Sequence, residues 1–290
     1  LKDRYLRPAA KGEIILAYAL TEPEAGSDPT AITTSFEEEN DHYLINGSKY
    51  LITNGSIADS TIVFAYPKGK QEGMTAFVVD NKSDGFEVPL ELKEKLGFFT
   101  SDTALLEFTD VKVPKENVLG LPGKGLWVAY TALISGRLGV GSGCIGVIED
   151  CLNSVVERAK TRLQYGKPIG KHQLIQKKIA DIAMNLDMAR WPTYLAAFKV
   201  ADWRRDPLNR ELRVDVDQSS AVAKRISSRL AFESADMSVQ VFGGFGYSTV
   251  SPVGRHWLDT RAARIYEGTD EIMDLKIASG VLGRDFEAYT

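Results

Sequence analysis

The spacing of hydrophobic residues changes at about residue 118, and this change most constrains the fold. Before it, short apolar runs such as 61–66 and 75–80 alternate with polar turns, which is typical of β-strands. After Gly123, apolar residues recur every three to four positions, as in the stretch 179–186, which indicates amphipathic helices. We therefore predict an α+β chain: residues 1–118 form a β-barrel or β-sandwich domain, and residues 119–290 form an antiparallel, four-helix-type bundle.

Turn and breaker residues suggest the element boundaries. Residues 42–52 are predicted to form a hairpin at Asn46-Gly47, since this dipeptide suits a type I′ turn. The strand 105–113 should close at Pro114. Residues 1–8 are interpreted as the remnant of a preceding helix. Helices are predicted near 124–162, 171–203, 210–242, 253–265 and 269–286.

Composition excludes several function classes. The formal net charge is -4 and no basic stripe is present, so nucleic acid is not an expected partner. We find no apolar run long enough to span a membrane, so no membrane partner is expected. The three histidines are scattered, and no metal site is predicted. Cys144 and Cys151, seven residues apart in a helical stretch, are expected to be buried free thiols in a reducing compartment.

The strongest candidate for acid–base chemistry is Glu267, in the segment Ile265-Tyr266-Glu267-Gly268-Thr269. Its neighbours are apolar or aromatic, and a glycine follows it. A carboxylate that loses water in such a setting has a raised pKa, in the range useful for a general base. The alternative is that the Glu-Gly pair merely ends a helix or opens a turn.

Four other segments could contact a bound ligand. Residues 18–28 and 49–55 offer hydroxyls beside flexible glycine backbone, and the glycines of 240–247 bring amides close to a ligand. Arg162 provides a planar donor fork that suits phosphate, and Tyr165 could stack on a flat ring. The structural alternatives are a solvent loop, a strand end, a helix cap and a helix–helix link with Gly166 at the C′ position.

The stretch 141–146 matches the dinucleotide pattern G-x-G-x-x-G. That pattern binds a cofactor only where it follows a strand and opens a helix. Here it follows residues that are predicted to be helical, so we reject a Rossmann site and interpret the glycines as helix-packing positions.

Taken together and in this order, the four segments and Glu267 resemble the acyl-CoA dehydrogenase family. The resemblance runs from about Ala10 to the end and covers the family's middle β domain and C-terminal helical domain, whereas its N-terminal helical domain has no counterpart in these 290 residues. It implies an FAD-dependent oxidoreductase that removes an α-proton and a β-hydride from an acyl-CoA thioester, giving a trans-2-enoyl-CoA.

The resemblance also implies roles for individual residues. Glu267 corresponds to the catalytic base; some relatives place the base immediately before the arginine matched by Arg137, a position that is Gly136 here. The residues expected to bind FAD are Tyr18, Leu20, Thr21, Ser27, Thr53, Arg162, Gln164, Tyr165, Gln173, Gln240, Gly243, Gly244, Thr269 and Glu271. Those expected to contact the substrate are Ser27, Arg137, Tyr266 and Gly268.

Family members are usually homotetramers that pass electrons to an electron-transfer flavoprotein, and we expect both here. A bacterial cytoplasm or a mitochondrial matrix fits this role, with the cytoplasm preferred.

Three positions depart from the family pattern: Leu51 replaces a tryptophan beside the flavin, and Phe99 and Leu258 replace arginines, with Phe99 expected to fill space. Two alternatives stay open: Leu51 is consistent with an acyl-CoA oxidase or other variant chemistry, and the lack of a counterpart to the N-terminal helical domain is consistent with a non-catalytic flavin-binding or scaffold piece.

Overall fold

The structure is a computed structural model that describes residues 1–286 and 288. Contacts divide the chain into two compact units, Leu1–Ala132 and Leu133–Thr290. The first unit is built on a β-sheet and the second on helices, which confirms the predicted α+β architecture.

The first unit contains a curled, mixed half-barrel sheet of seven strands. Its spatial order is β1-β4-β2-β3-β7-β6, with β5 paired to β4. β1 and β2 run parallel to β4, while the other pairings are antiparallel. The strands are β1 (Leu16–Ala19), β2 (Ser35–Glu38), β3 (His42–Thr53), β4 (Ser60–Pro67), β5 (Thr75–Asp80), β6 (Phe86–Glu91) and β7 (Thr103–Pro114).

Apolar side chains from several strands form the core of this sheet. Ile45, Val63, Phe77 and Leu106 are fully buried in one cluster. β4 is buried along most of its length, in agreement with its continuous apolar sequence. A π-helical turn (Lys2–Leu6) and α1 (Arg7–Lys11) precede the sheet, and a 3₁₀ turn (Lys115–Asn117) follows it.

The predicted hairpin at Asn46-Gly47 is wrong. Residues 42–53 form the single strand β3, whose pairing with β7 shifts between Ile45 and Gly47, as at a β-bulge. Gly47 has φ +142°, and a Cβ there would lie 2.7 Å from the Cα of Thr34. The glycine thus serves a close backbone approach, and Asn46 hydrogen-bonds Asp110 across the bulge instead of opening a turn.

The loop between β6 and β7 corrects a second expectation. Phe99 does not fill space in place of an arginine, because its side chain is 58% exposed. Leu96 in the same loop is 78% exposed. This loop therefore presents apolar side chains at the surface of the first unit.

A fully buried ion pair joins two segments of the first unit. Lys49 Nζ lies 2.8 Å from Glu22 Oε1 and also donates to the carbonyl of Leu20 at 3.2 Å. Glu22 accepts further hydrogen bonds from the backbone and side chains of Thr33 and Thr34. Because both charges are fully compensated, the pair fixes the segment after β1 against β3.

Long helices dominate the second unit, as predicted. They are α2 (Gly125–Thr161, which begins in the first unit), α3 (Gln173–Arg205), α4 (Arg210–Phe242), α5 (Pro252–Ala263) and α6 (Asp270–Leu282), with 3₁₀ turns at Ile169–Lys171, Gly243–Phe245 and Arg284–Phe286. Ile148 of α2, Ile182 of α3 and Ala231 of α4 are fully buried in a shared core. The rejected glycine motif, 141–146, lies inside α2.

The link between α2 and α3 differs from the predicted helix cap. α2 ends at Thr161, so Gly166 is not its C′ residue. Residues Leu163–Gln164 (β8) and Lys167–Pro168 (β9) form a small hairpin instead. Tyr165 and Gly166 have φ +54° and +74°, as a two-residue type I′ turn requires.

We expected no apolar run long enough to span a membrane, and this expectation is wrong. Judged by length and composition alone, one helix qualifies. α2 contains a window with a mean hydropathy of 1.4, long and apolar enough to cross one. Its side chains Ile148 and Val155 pack in the core of the second unit. A helix in the core of a bundle needs this apolar character as well.

The buried ion pair generates a stability prediction. We expect Lys49→Met to lower the free energy of unfolding by about 3–5 kcal/mol, because it leaves the carboxylate of Glu22 buried without its partner. The matched control is Lys68→Met, which removes an exposed pair with Glu37 and should leave the free energy of unfolding nearly unchanged. Urea denaturation followed by circular dichroism measures both; equal midpoints for the two variants would contradict the assignment.

Candidate active site

Glu267 lies in the tight connection between α5 and α6. α5 ends at Ala263, and Thr269 caps α6 by accepting a hydrogen bond from the backbone of Ile272 at 3.3 Å. Across the connection, the backbone N–H of Asp270 donates to the carbonyl of Arg264 at 3.1 Å, and Arg264 Nε donates to Asp270 Oδ2 at 2.6 Å. The short apolar sequence between two helices therefore folds into a closed turn.

The backbone of the candidate base is strained. Glu267 has φ +58°, in the left-handed region that side chains other than glycine rarely adopt. Such a conformation costs about 1–2 kcal/mol and persists only where the surroundings hold it. A strained residue with an ionisable side chain is consistent with a functional site.

Two buried cations bind consecutive backbone carbonyls in this turn. Arg137 Nε on α2 donates to the carbonyl of Glu267 at 3.1 Å, and Lys224 Nζ on α4 donates to the carbonyl of Gly268 at 2.6 Å. Arg137 also forms an ion pair with Asp217 at 2.6 Å. Asp217 in turn lies 2.7 Å from Lys276 Nζ.

The carboxylate of Glu267 packs directly over Gly136 of α2. A Cβ at Gly136 would lie 2.5–2.8 Å from the carboxylate atoms, so a larger residue there would require the Glu267 side chain to shift. Glu267 Oε2 is buried and has no hydrogen-bond partner among the described residues. Burial raises the pKa of Glu267, while the charges of Arg137 and Lys224 oppose the rise. The group is thus a half-buried carboxylate whose buried Oε2 has a free lone pair, as a general base needs.

Other predicted residues surround this turn with different exposures. Tyr266 is 41% exposed, and Glu271 lies on the exposed side of the first turn of α6. The hydroxyl of Thr269 is occupied by its capping hydrogen bond. The structure thus places these residues next to Glu267, and their roles as ligand contacts stay predictions.

A separate surface cavity of about 530 Å³ lies within the second unit. Five of the predicted cofactor contacts line it: Arg162, Gln164, Tyr165, Gly243 and Gly244. Gln173 and Gln240 are exposed and are not among the described residues that line it. Arginine forks, an exposed aromatic ring and glycine backbone together suit an anionic ligand with a flat ring.

Sequence reasoning assigned no role to two polar residues that line this cavity. Arg158 and His172 both line it, and Arg158 Nε and His172 Nε2 are buried without hydrogen-bond partners among the described residues. Arg158 lies in the last turn of α2, four residues before Arg162, whose backbone N–H donates to the carbonyl of Arg158 at 2.9 Å. That spacing was the available signal, whereas His172 could be placed only by the fold.

In the first unit, the structure brings two predicted segments together. The backbone N–H of Tyr50 donates to the carbonyl of Thr21 at 2.9 Å, and Lys49 holds the carbonyl of Leu20. Tyr18 lies on β1 with its ring against Phe64 at 5.1 Å, and the buried Leu20 follows that strand.

The remaining residues of this group are more peripheral. Thr53 is the exposed last residue of β3, and Ser27 is exposed in a turn next to Asp28. Leu51, where the family pattern has tryptophan, is 48% exposed with φ +59°. Leu258 is half-buried on α5.

Comparisons with known proteins give a consistent result. The family model for the acyl-CoA dehydrogenase C-terminal domain matches residues 123–282, and the model for the middle domain matches residues 17–111. A short-chain-specific acyl-CoA dehydrogenase of Megasphaera elsdenii is 41% identical over 286 residues, covering 98% of this chain and 72% of that protein.

Solved structures agree with the sequence matches. The butyryl-CoA dehydrogenase of Megasphaera elsdenii superposes with a TM-score of 0.89 at 39% identity, over 97% of this chain and 72% of that one. An acyl-CoA dehydrogenase of Bacillus anthracis, solved in complex with FAD, gives a TM-score of 0.90 at 32% identity, over 97% of this chain and 50% of that one.

The close packing at Gly136 generates a matched pair of variants. We expect Gly136→Ala to be less stabilising than the same substitution at an open position of the helix, because the new methyl group must displace the Glu267 carboxylate. An added methyl at Gly139, one turn later in α2, meets no atom within 4 Å, so Gly139→Ala should raise stability by about 0.5–1 kcal/mol. Thermal unfolding measures the difference; identical melting temperatures would show that the carboxylate does not occupy this space.

Proposed function

This chain belongs to the acyl-CoA dehydrogenase family, and we propose that it oxidises an acyl-CoA thioester to the trans-2-enoyl-CoA. Glu267 is the base that takes the α-proton. One observation carries this assignment: a half-buried carboxylate, whose buried Oε2 has no described partner, sits on a strained backbone that the surrounding residues hold in place.

The chemistry that this chain supplies is proton removal and orientation. An α-proton of a thioester is a very weak acid, so the base must be both desolvated and aimed. Burial raises the pKa of Glu267 and makes its carboxylate more basic. The charges of Arg137 and Lys224 oppose this rise and favour the ionised form, which is the form that accepts the proton.

We propose FAD as the cofactor; when bound, it supplies the acceptor for the β-hydride. The cavity in the second unit fits the nucleotide part of such a ligand, because it combines two arginines, Tyr165 and glycine backbone. The unpartnered Arg158 Nε and His172 Nε2 give that cavity free donor capacity. The FAD complex of the Bacillus anthracis relative supports the proposal.

The other cofactor and substrate contacts are proposed from the family pattern. Thr21 and Thr53 would hydrogen-bond the flavin, Tyr18 and Leu20 would line its ring, and Gln173, Gln240, Thr269 and Glu271 would contact its nucleotide portion. Ser27 would lie near the pyrophosphate or the CoA chain, and Arg137, Tyr266 and Gly268 would contact the substrate. The hydrogen bond between Tyr50 and Thr21 supports the first pair, since it brings their segments together.

We further propose a short acyl chain as the substrate. The support is the naming of two relatives, a short-chain-specific enzyme and a butyryl-CoA dehydrogenase.

We place the enzyme in a reducing compartment, preferably a bacterial cytoplasm, with an electron-transfer flavoprotein as electron acceptor. Cys144 and Cys151 are both free and buried, in keeping with a reducing environment.

We propose that the protein assembles as a homotetramer. α3 carries an exposed apolar stripe at helical spacing: Met184, Met188, Trp191, Leu195 and Phe198. Trp191 and Phe198 are 72% and 73% exposed. A contiguous stripe of this kind is typical of an interface rather than of a solvated face.

The assignment of Glu267 predicts a clean loss of chemistry. Glu267→Gln should retain bound flavin and lose at least about 10³-fold in turnover, since the amide cannot accept the proton. Anaerobic titration with butyryl-, octanoyl- and palmitoyl-CoA, followed by flavin absorbance, tests the base and the chain length together. The flavin of the wild-type protein should bleach most readily with butyryl-CoA, and the flavin of the variant should not bleach with any of the three thioesters. The control is Glu157→Gln, an exposed carboxylate on α2; a Glu267 variant as active as this control would overturn the assignment.

The stripe on α3 predicts a change in assembly. Trp191→Glu combined with Phe198→Glu should convert the tetramer to smaller species, because each places a charge in an apolar contact. Size-exclusion chromatography with light scattering measures the mass. The charge change Glu157→Lys on α2 serves as the control, and a tetramer that survives the double substitution would place the interface elsewhere.

A further inference from the structure

We infer that Lys224 is a positioning residue for the base: its ammonium group holds the carbonyl of Gly268 and thereby fixes the turn that aims the Glu267 carboxylate. The inference rests on the proposed role of Glu267. Lys224 lies on α4, far from Glu267 in sequence, and nothing in the local sequence distinguishes it from a surface lysine.

Lys224 is fully buried. Lysine side chains are rarely buried completely unless they bind a specific partner. Its described hydrogen bond goes to the carbonyl of Gly268 at 2.6 Å. The charged and titratable groups that influence it come from α2, α4 and α6: Arg137, Cys144, Arg225 and Asp270. If this position served packing alone, an apolar residue of similar volume would avoid the cost of burying a cation.

The carbonyl that Lys224 binds, that of Gly268, belongs to the turn that carries the base. Glu267 is strained, and Arg137 and Lys224 hold the two consecutive carbonyls at Glu267 and Gly268. Arg137 has a second anchor in Asp217, so it is tied to another network as well. Lys224 therefore secures the Gly268–Thr269 peptide, the second after the base, and so limits rotation of the turn that would move the carboxylate away from Gly136.

Its charge also acts on the base. Burial raises the pKa of Glu267, and Lys224 is one of the two cations that oppose the rise. Burial lowers the pKa of Lys224 itself to about 8, so it is mostly protonated at neutral pH. Removing this charge should raise the pKa of Glu267 further, and a higher pH would then be needed to ionise the base.

The test compares Lys224→Met with wild type in anaerobic stopped-flow reduction by butyryl-CoA, expressed per bound FAD. We expect the reduction rate at pH 7 to fall by about tenfold or more, with KM within about twofold, because the base is misplaced rather than the substrate released. The acidic limb of the pH–rate profile should move up by about one pH unit. Lys224→Arg should restore part of the rate, since it keeps a charged donor.

Several readouts separate positioning from folding. α-Deuterated butyryl-CoA should show an undiminished isotope effect in Lys224→Met, because proton removal is the step that slows. The exposed Lys177→Met is the matched control. If Lys224→Met does not retain FAD, Lys224→Gln replaces it, keeping a donor without the charge, and its acidic limb should still move.

Two outcomes overturn the inference. A reduction rate per flavin within about twofold of wild type, with an unmoved acidic limb in Lys224→Met or Lys224→Gln, excludes a positioning role. Glu267→Gln, measured alongside, distinguishes this from failure of the proposed function. If Glu267→Gln is inactive and Lys224→Met is normal, only the inference on Lys224 fails, whereas an active Glu267→Gln removes both.

Discussion

The second unit is organised around one unfavourable arrangement: the carboxylate oxygen Oε2 of Glu267 is buried without a described hydrogen-bond partner. Such a group opposes folding through desolvation, and its left-handed backbone adds strain. The rest of the turn offsets these costs: Arg137 and Lys224 bind the carbonyls, and Asp270 and Arg264 close the connection. The long apolar cores of α2, α3 and α4 supply the stability that lets this turn persist.

The two units use buried lysines for the same physical purpose. In the first, Lys49 binds Glu22 and the carbonyl of Leu20, which fixes the segment after β1. In the second, Lys224 binds the carbonyl of Gly268. Apolar packing tolerates small slips of a loop, whereas a buried ammonium demands a particular acceptor within hydrogen-bonding distance. Both charges thus specify the path of a loop that helices or strands alone would leave undefined.

Local patterns in the sequence predicted the helices and Glu267, and contacts between distant segments account for the rest. The three long helices begin and end within a few residues of expectation, because a period sustained over some thirty positions averages out exceptions. Asn46-Gly47 misled because the same dipeptide suits a tight turn and a bulge, and only the contact with Thr34 decides between them. Periodicity cannot reveal contacts with residues far along the chain or in other elements. Such contacts surround Lys49, Arg158, His172 and Lys224.

The contact between Gly136 and Glu267 also constrains how such a site can evolve. Both positions project into one space, so the chain can carry a side chain at 136 or a glutamate at 267, but not both in their present geometry. A lineage that moved its carboxylate from one position to the other would meet a steric clash if the new side chain came first. It would have no carboxylate at all if the old one were lost first. The effect of a substitution at either position therefore depends on the residue present at the other.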